Sequence, residues 1–161
     1  MTSFLIVDAQ SVKNTDTAEE KGYDAGKKVS GIKRHIAVDT QGLPHALSVT
    51  TANVSDREGA ISLFHACPKE LFEFLEKILF DGGYRGEEFA KKIQEICSAV
   101  AEVVKRNELH TFTVIPKRWV VERSFAWLEK NRRLWKNCER HLSSSLAMMQ
   151  LAFIALLLKR S

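Results

Sequence analysis

With 161 residues, 45% of them hydrophobic and 27% charged, the chain has the size and composition of one globular domain with enough apolar material for a core. Its 24 Lys and Arg against 20 Asp and Glu give a formal charge of +4, which admits a polyanionic partner without demonstrating one. Cys67, Cys97 and Cys138 form no CxxC pair, so the sequence suggests neither a disulfide framework nor a zinc site, and a reducing, cytoplasmic compartment fits best.

The amino terminus, MTSFLIVDAQ, has no positively charged leader, and its apolar run is too short for a signal peptide. FLIV, ending on Asp8, has the length of a strand buried on both faces. Residues 9–31 read as one long polar connection leaving that strand, whose Lys13, Lys21, Lys27 and Lys28 are either phosphate contacts or solvated charges. GIKRHIAVDTQGLPHALSVTT holds two strand-length runs around Gln41-Gly42 and predicts an antiparallel hairpin. Alternation puts Lys33 and His35 on one face of it, as DNA contacts or as solvated surface.

Asp56 predicts the cap of a helix running to about Ala66, with Arg57 and Glu58 in its first turn. ILF then forms a second buried strand, which ends on Asp81 and turns at Gly82 and Gly83. Residues 87–98 predict a helix with Phe89, Ile93, Ile96 and Cys97 on one face, and AVAEVV predicts a short strand. Pro116 is expected to open a long helix as its first residue. LAMMQLAFIALLLKR predicts a buried terminal helix, capped by the serines at 143–145, with Lys159 and Arg160 at its carboxyl end. Gln150 keeps its apolar run well short of the roughly 20 residues a bilayer needs, so no membrane span is predicted.

This order implies one mixed sheet with helices on its faces. A strand–helix–strand crossover makes ILFD parallel to FLIVD, and as neighbours their aspartates would leave the same sheet edge, where α/β sheets bind ligands. In PKRWVVERSFAWLEKNRRLW, Val121, Phe125 and Leu128 share a core-facing stripe, while Arg118, Glu122, Glu129 and Arg133 fall on an adjacent face. Glu122 therefore sits at the core boundary and needs a partner; Arg118, one turn earlier, is the simplest. Arg123, Arg132 and Arg133 are phosphate contacts or ordinary helix-surface charge, and Trp119, Trp127 and Trp135 are expected in the core.

As a set, FLIVDAQSVK, GKKVSGIKRHIAVDTQGLPHALSVTTANVSD, ILFDGGYRG and WVVERSFAWLEKNRRLW resemble the DDE transposases of bacterial insertion sequences, the insertion-sequence-five group in particular. The resemblance covers nearly the whole chain. It implies an α/β, ribonuclease-H-like fold: a mixed five-stranded sheet with flanking helices, in which two aspartates on adjacent strands and one helical glutamate hold two divalent ions. By that resemblance Asp8, Asp81 and Glu122 are the catalytic triad and the metal ligands. Oxygen-only donors favour Mg2+ or Mn2+. Two carboxylates about 4 Å apart repel by roughly 4 kcal/mol at an effective dielectric of about 20, so such a cluster is tolerable mainly around a dication.

The family's helix signature matches at Arg118 and Glu122, whereas Ile115 stands where a tyrosine would be and Glu129 where a lysine would be, with Lys130 beside it. The expected partner is double-stranded DNA, at element ends and target, gripped by Lys28, Lys33, His35, Arg118, Arg123, Lys130, Arg132 and Arg133. The expected activity is metal-dependent DNA strand cleavage and strand transfer, by a cytoplasmic, nucleoid-associated protein acting alone or as a homodimer. Transposases of this group generally carry an amino-terminal helical DNA-binding part, so residues 1–161 are expected to be the catalytic domain without it, a truncated copy or the product of a second reading frame. The alternatives are a non-catalytic DNA-binding or dimerisation fragment that regulates a full-length transposase, and a stand-alone nuclease of the same fold.

Overall fold

Strands form where β-branched and aromatic residues cluster, and the helices fill the amphipathic intervals between them. A computed structural model describes residues 2–104 and 118–159. In chain order these are β1 (Phe4–Lys13), β2 (Gly22–Asp24), β3 (Val29–Val38), β4 (Pro44–Thr51), α1 (Asp56–His65), β5 (Lys77–Phe80), α2 (Glu87–Cys97), β6 (Val100–Val103), α3 (Arg118–Glu129) and α4 (Leu142–Leu158).

The sheet runs β4-β3-β1-β5-β6. β1, β3 and β4 are an antiparallel meander, while β5 and β6 lie parallel to β1. This is the expected ribonuclease-H-like mixed sheet, with one addition: three-residue β2 pairs with the first residues of β3, on the edge that β4 occupies further along.

That addition corrects the reading of residues 9–31 as one loop. β1 continues through Lys13, with Ala9 and Val12 buried and Gln10 opposite Arg34 on β3. The polar residues there are alternate positions of a strand rather than a connection. Asp8 consequently lies in the middle of β1, and β5 and β6 end side by side near its level, at Phe80 and Val103.

Alternation along β1 sorts the core into two layers. Leu5 and Val7 join Ile78, Phe80, Phe64, Tyr84, Phe89 and Ile93 under α1 and α2. Ile6 joins Ile36, Leu79, Val121, Phe125, Leu128, Met149 and Phe153 under α3 and α4. Asp8, two residues beyond Ile6, and Asp81, two beyond Leu79, therefore face the α3 side.

Two helix starts differ from expectation. Ser55, not Asp56, caps α1: its hydroxyl accepts from the Glu58 N–H at 3.2 Å, and the Glu58 carboxylate accepts from the Ser55 N–H at 3.1 Å, a reciprocal capping box. His141 holds the N-cap position of α4, without a side-chain cap, so serines 143–145 lie inside the helix, and the first N–H, of Leu142, donates instead to the Glu20 carboxylate at 2.7 Å. α4 is also less buried than expected. It covers β4 and α3 with one stripe, Ser145, Met149 and Phe153, and leaves Leu151 and Ile154 exposed. Among the described residues no helix is long and apolar enough to cross a membrane. The expected helix start at Pro116, the signature position Ile115 and Arg160 lie outside the described residues.

Candidate active site

β1 and β5 pair in parallel, Phe4 with Lys77, Leu5 with Ile78 and Ile6 with Leu79. Two residues further along that register Asp8 stands beside Asp81. β1 continues there, held on its other side by β3, whereas β5 stops at Phe80 and Asp81 caps a short turn over Gly82–Tyr84. Its carboxylate accepts the Gly83 N–H at 2.8 Å. Asp8 Oδ1 accepts the N–H of its own neighbour Ala9 at 2.8 Å. Burial pushes the Asp8 carboxyl up to about 6, the Ala9 N–H opposes this, the Asp81 charge adds to it, and Arg118 and Lys27 pull it back. Lys27 reaches this end of β1 from the β2–β3 turn, its ammonium 3.2 Å from the Ala9 carbonyl.

Glu122 arrives on α3 and is 60% exposed. Arg118 lies between it and the aspartates: Nε is 3.4 Å from Glu122 Oε1, and Nη2 is 3.7 Å from Asp81 Oδ2. The structure thus brings Asp8 and Asp81 together and sets Glu122 on the far side of a guanidinium. Among the described residues no three His, Cys, Asp or Glu side chains are spaced to share one metal ion. The donor chemistry nevertheless fits a hard divalent cation, because all three side chains offer only oxygen and Asp8 is half-buried, accepting just the Ala9 N–H among the described residues.

α3 is fixed by contacts that the sequence reading missed. Ser124 Oγ donates to the Gly42 carbonyl at 2.8 Å, and Arg123 Nη2 donates to the Gln41 carbonyl at 2.7 Å. Gly42 has φ +84, and a Cβ there would sit 2.9 Å from Ser124 Oγ and 3.3 Å from the Trp127 ring. The Gln41-Gly42 signal identified the turn, but a serine inside an apolar stripe gave no hint of its partner. A second missed cluster lies further along β1. The Gln10 amide donates to Glu129 at 2.6 Å, and Arg34, 1% exposed, lies opposite Gln10 with Nε and Nη1 unpaired among the described residues. Burial lowers the Arg34 guanidinium to about 10.

The predicted DNA-contacting residues fall into four groups. Lys28, Lys130 and Arg132 are exposed, and Arg133 is exposed but paired with Glu139 at 2.7 Å. Arg118 lies among the carboxylates. Arg123 is stacked between Trp119 and Trp127, 4.5 and 4.9 Å from the ring centres. Lys33 and His35 are corrections. Both are on one face of β3, as expected, but that face lies under α1. Lys33 pairs with Asp56 at 2.8 Å and Asp24 at 3.4 Å and donates to the Val54 carbonyl. His35 is wholly buried, bonded to Thr50 at 2.9 Å and packed against Gly59, and burial lowers its imidazole to about 4. Neither side chain is presented to a polyanion. The tryptophans are corrected in the opposite sense, since Trp119 and Trp135 are exposed.

A mixed sheet with Asp8 on β1 and Asp81 just past the end of the parallel β5, beside a helix carrying Glu122, has the ribonuclease-H-like arrangement. Residues 1–158 match the family model described as Transposase DDE domain, and the chain belongs to that family, the DDE transposases of bacterial insertion sequences. A Burkholderia cepacia protein named as a transposase for insertion sequence element IS402 is 31% identical over 128 residues. That alignment takes in 75% of this chain, which spans 60% of the relative's length. A chain of the simian T-cell lymphotropic virus intasome, solved in complex with PP2A regulatory subunit B56 gamma, aligns with 92% of this chain at 17% identity and a TM-score of 0.47, over 48% of its own length.

Proposed function

We propose that this chain is the catalytic domain of a transposase, cleaving double-stranded DNA at element ends and joining it to a target. Asp8, Asp81 and Glu122 would hold two Mg2+ or Mn2+ ions. The observation that carries this reading is the parallel β1–β5 register that sets Asp8 beside Asp81, on the face where α3 carries Glu122. Bound there, the metal would activate water or a 3′-hydroxyl and stabilise the leaving oxygen of an in-line phosphodiester displacement.

The chain's own residues divide the remaining work. Asp8 sits on the central strand, opposite Ile36 of β3, and gives a fixed carboxylate. Asp81 follows the end of β5, where the Gly82-Gly83 turn keeps side chains out of the approach to it. Glu122, exposed on its helix and paired there with Arg118, would turn inward to join them. Lys27 and Lys28 on the β2–β3 turn, and Lys130 and Arg132 after α3, supply positive charge on either side for the phosphate backbone.

The test is Glu122→Gln, assayed for magnesium-dependent strand transfer and, separately, for duplex binding. Strand transfer should disappear while binding stays near the parent's. Equal loss of both would overturn the division between metal-holding acids and phosphate-holding cations.

A further inference from the structure

We propose that Arg118 is an internal counter-ion, which neutralises the acidic site until a DNA phosphate draws it away, so that metal loading and DNA binding are coupled through one side chain. The inference rests on the catalytic reading above and adds a role for a residue outside the triad.

Arg118 touches two of the three carboxylates, at 3.4 Å and 3.7 Å, and its charge acts on the third. It lies between Glu122 and Asp81, on the α3 side of the sheet that Asp8 also faces. Glu122 turns its carboxylate to the guanidinium and not to the aspartates. For the three acids to close on a metal, Arg118 must leave.

Its contacts are suited to that. Arg118 is 45% exposed and Glu122 60%, and ion pairs so open to water and so long are weak. A guanidinium brings one positive charge to a site of up to three negative ones, whereas a divalent ion brings two. A phosphodiester offers the same guanidinium two non-bridging oxygens, which arginine binds in a fork. DNA therefore favours the state in which Arg118 has left the acids, and metal favours it too. Each ligand must then raise the affinity of the other by the same factor.

Mn2+ binding, measured by calorimetry on the parent, Arg118→Gln and Arg118→Lys with and without a short duplex, tests this. Without DNA, Arg118→Gln should bind Mn2+ about fivefold more tightly than the parent, the scale set by two exposed ion pairs. Arg118→Lys, which keeps the charge but not the fork, should fall between them. The duplex should tighten Mn2+ binding to the parent and have a smaller effect on Arg118→Gln. Unchanged or weaker Mn2+ binding by Arg118→Gln in the absence of DNA would overturn the counter-ion role. Asp81→Asn separates the two readings. If it lowers Mn2+ affinity while Arg118→Gln does not raise it, only the present inference fails; if it leaves Mn2+ binding unchanged, the triad assignment fails as well.

Discussion

Ser124 on α3 donates to the carbonyl of Gly42, in the turn between β3 and β4, at 2.8 Å. Arg123, its neighbour, bonds the preceding carbonyl of Gln41. The helix that carries Glu122 is therefore registered on a hairpin turn, and that turn is tied by β3 to the strand that carries Asp8. Position along α3, which decides how far Glu122 stands from the aspartates, is set at a point more than 80 residues away in sequence.

Ser124→Ala should cost about 1–2 kcal/mol of stability, because it leaves a carbonyl without its donor in a buried contact. Gly42→Ala should cost at least as much, since its φ of +84 is unfavourable for alanine and the new methyl meets Ser124 and the Trp127 ring. Denaturant melts measure both. If both variants retain the parent's stability, the turn does not anchor α3.

Gly59→Ala examines the burial of His35. A Cβ at Gly59 would overlap the imidazole, which is enclosed between β3 and α1 and cannot swing away. The expected loss is about 1–3 kcal/mol, the range for overfilling a packed interior. A His35 that turned outward to bind DNA would leave room for the methyl, and the variant would then melt with the parent.

The hairpin of β3 with β4 and the parallel β1 and β5, which bring Asp8 near Asp81, were legible because apolar runs ending on a carboxylate are a local pattern, and the crossover rule does the rest. The length of β1 was not legible: past Asp8 its residues are polar, and only the antiparallel partner β3 shows that Gln10 and Val12 belong to a strand. Lys33 and His35 were misjudged for a related reason. Alternation gives the face a residue occupies but not what covers it, and here α1, with Gly59 and Asp56, turns a polar stripe into an interior one. At the site, the helical pattern gave the Arg118–Glu122 pair, but the reach of Arg118 to Asp81 depends on how α3 docks, through contacts with no sequence signature.

The titrations of His35 and Asp8 should oppose each other in acid. His35 falls from 6.5 to about 4 on folding, so the unfolded chain takes up its proton first and stability drops as pH falls from about 6.5 to 4. Asp8 rises from 3.8 to about 6, so the folded chain takes up its proton first and stability drops as pH rises over about the same interval. Each effect is of the order of 3 kcal/mol at most. In metal-free buffer Asp8→Asn should exceed the parent's stability near pH 7 and lose that advantage toward pH 4. His35→Gln should be most damaging near pH 7 and progressively less so in acid. Urea melts across this range measure both differences, and slopes of the same sign would contradict the two placements.

Asp81→Asn tests the acidic site through stability, independently of whether the chain is catalytically active. The substitution keeps a side-chain oxygen to cap Gly83, gives up a 3.7 Å ion pair that is half open to water, and relieves repulsion with Asp8. These effects are small and of mixed sign, so the metal-free variant should melt within about 1 kcal/mol of the parent. The two chains should part when Mn2+ is added. A ligand that binds only the folded state stabilises it by RT ln(1 + [L]/Kd), about 2.7 kcal/mol at one hundred times Kd, and the parent should show a gain that rises with concentration in this way. The variant should lose most of that gain. An Asp81 that serves only the turn would leave the two metal responses parallel, and parallel melting curves with and without Mn2+ would remove Asp81 from the site.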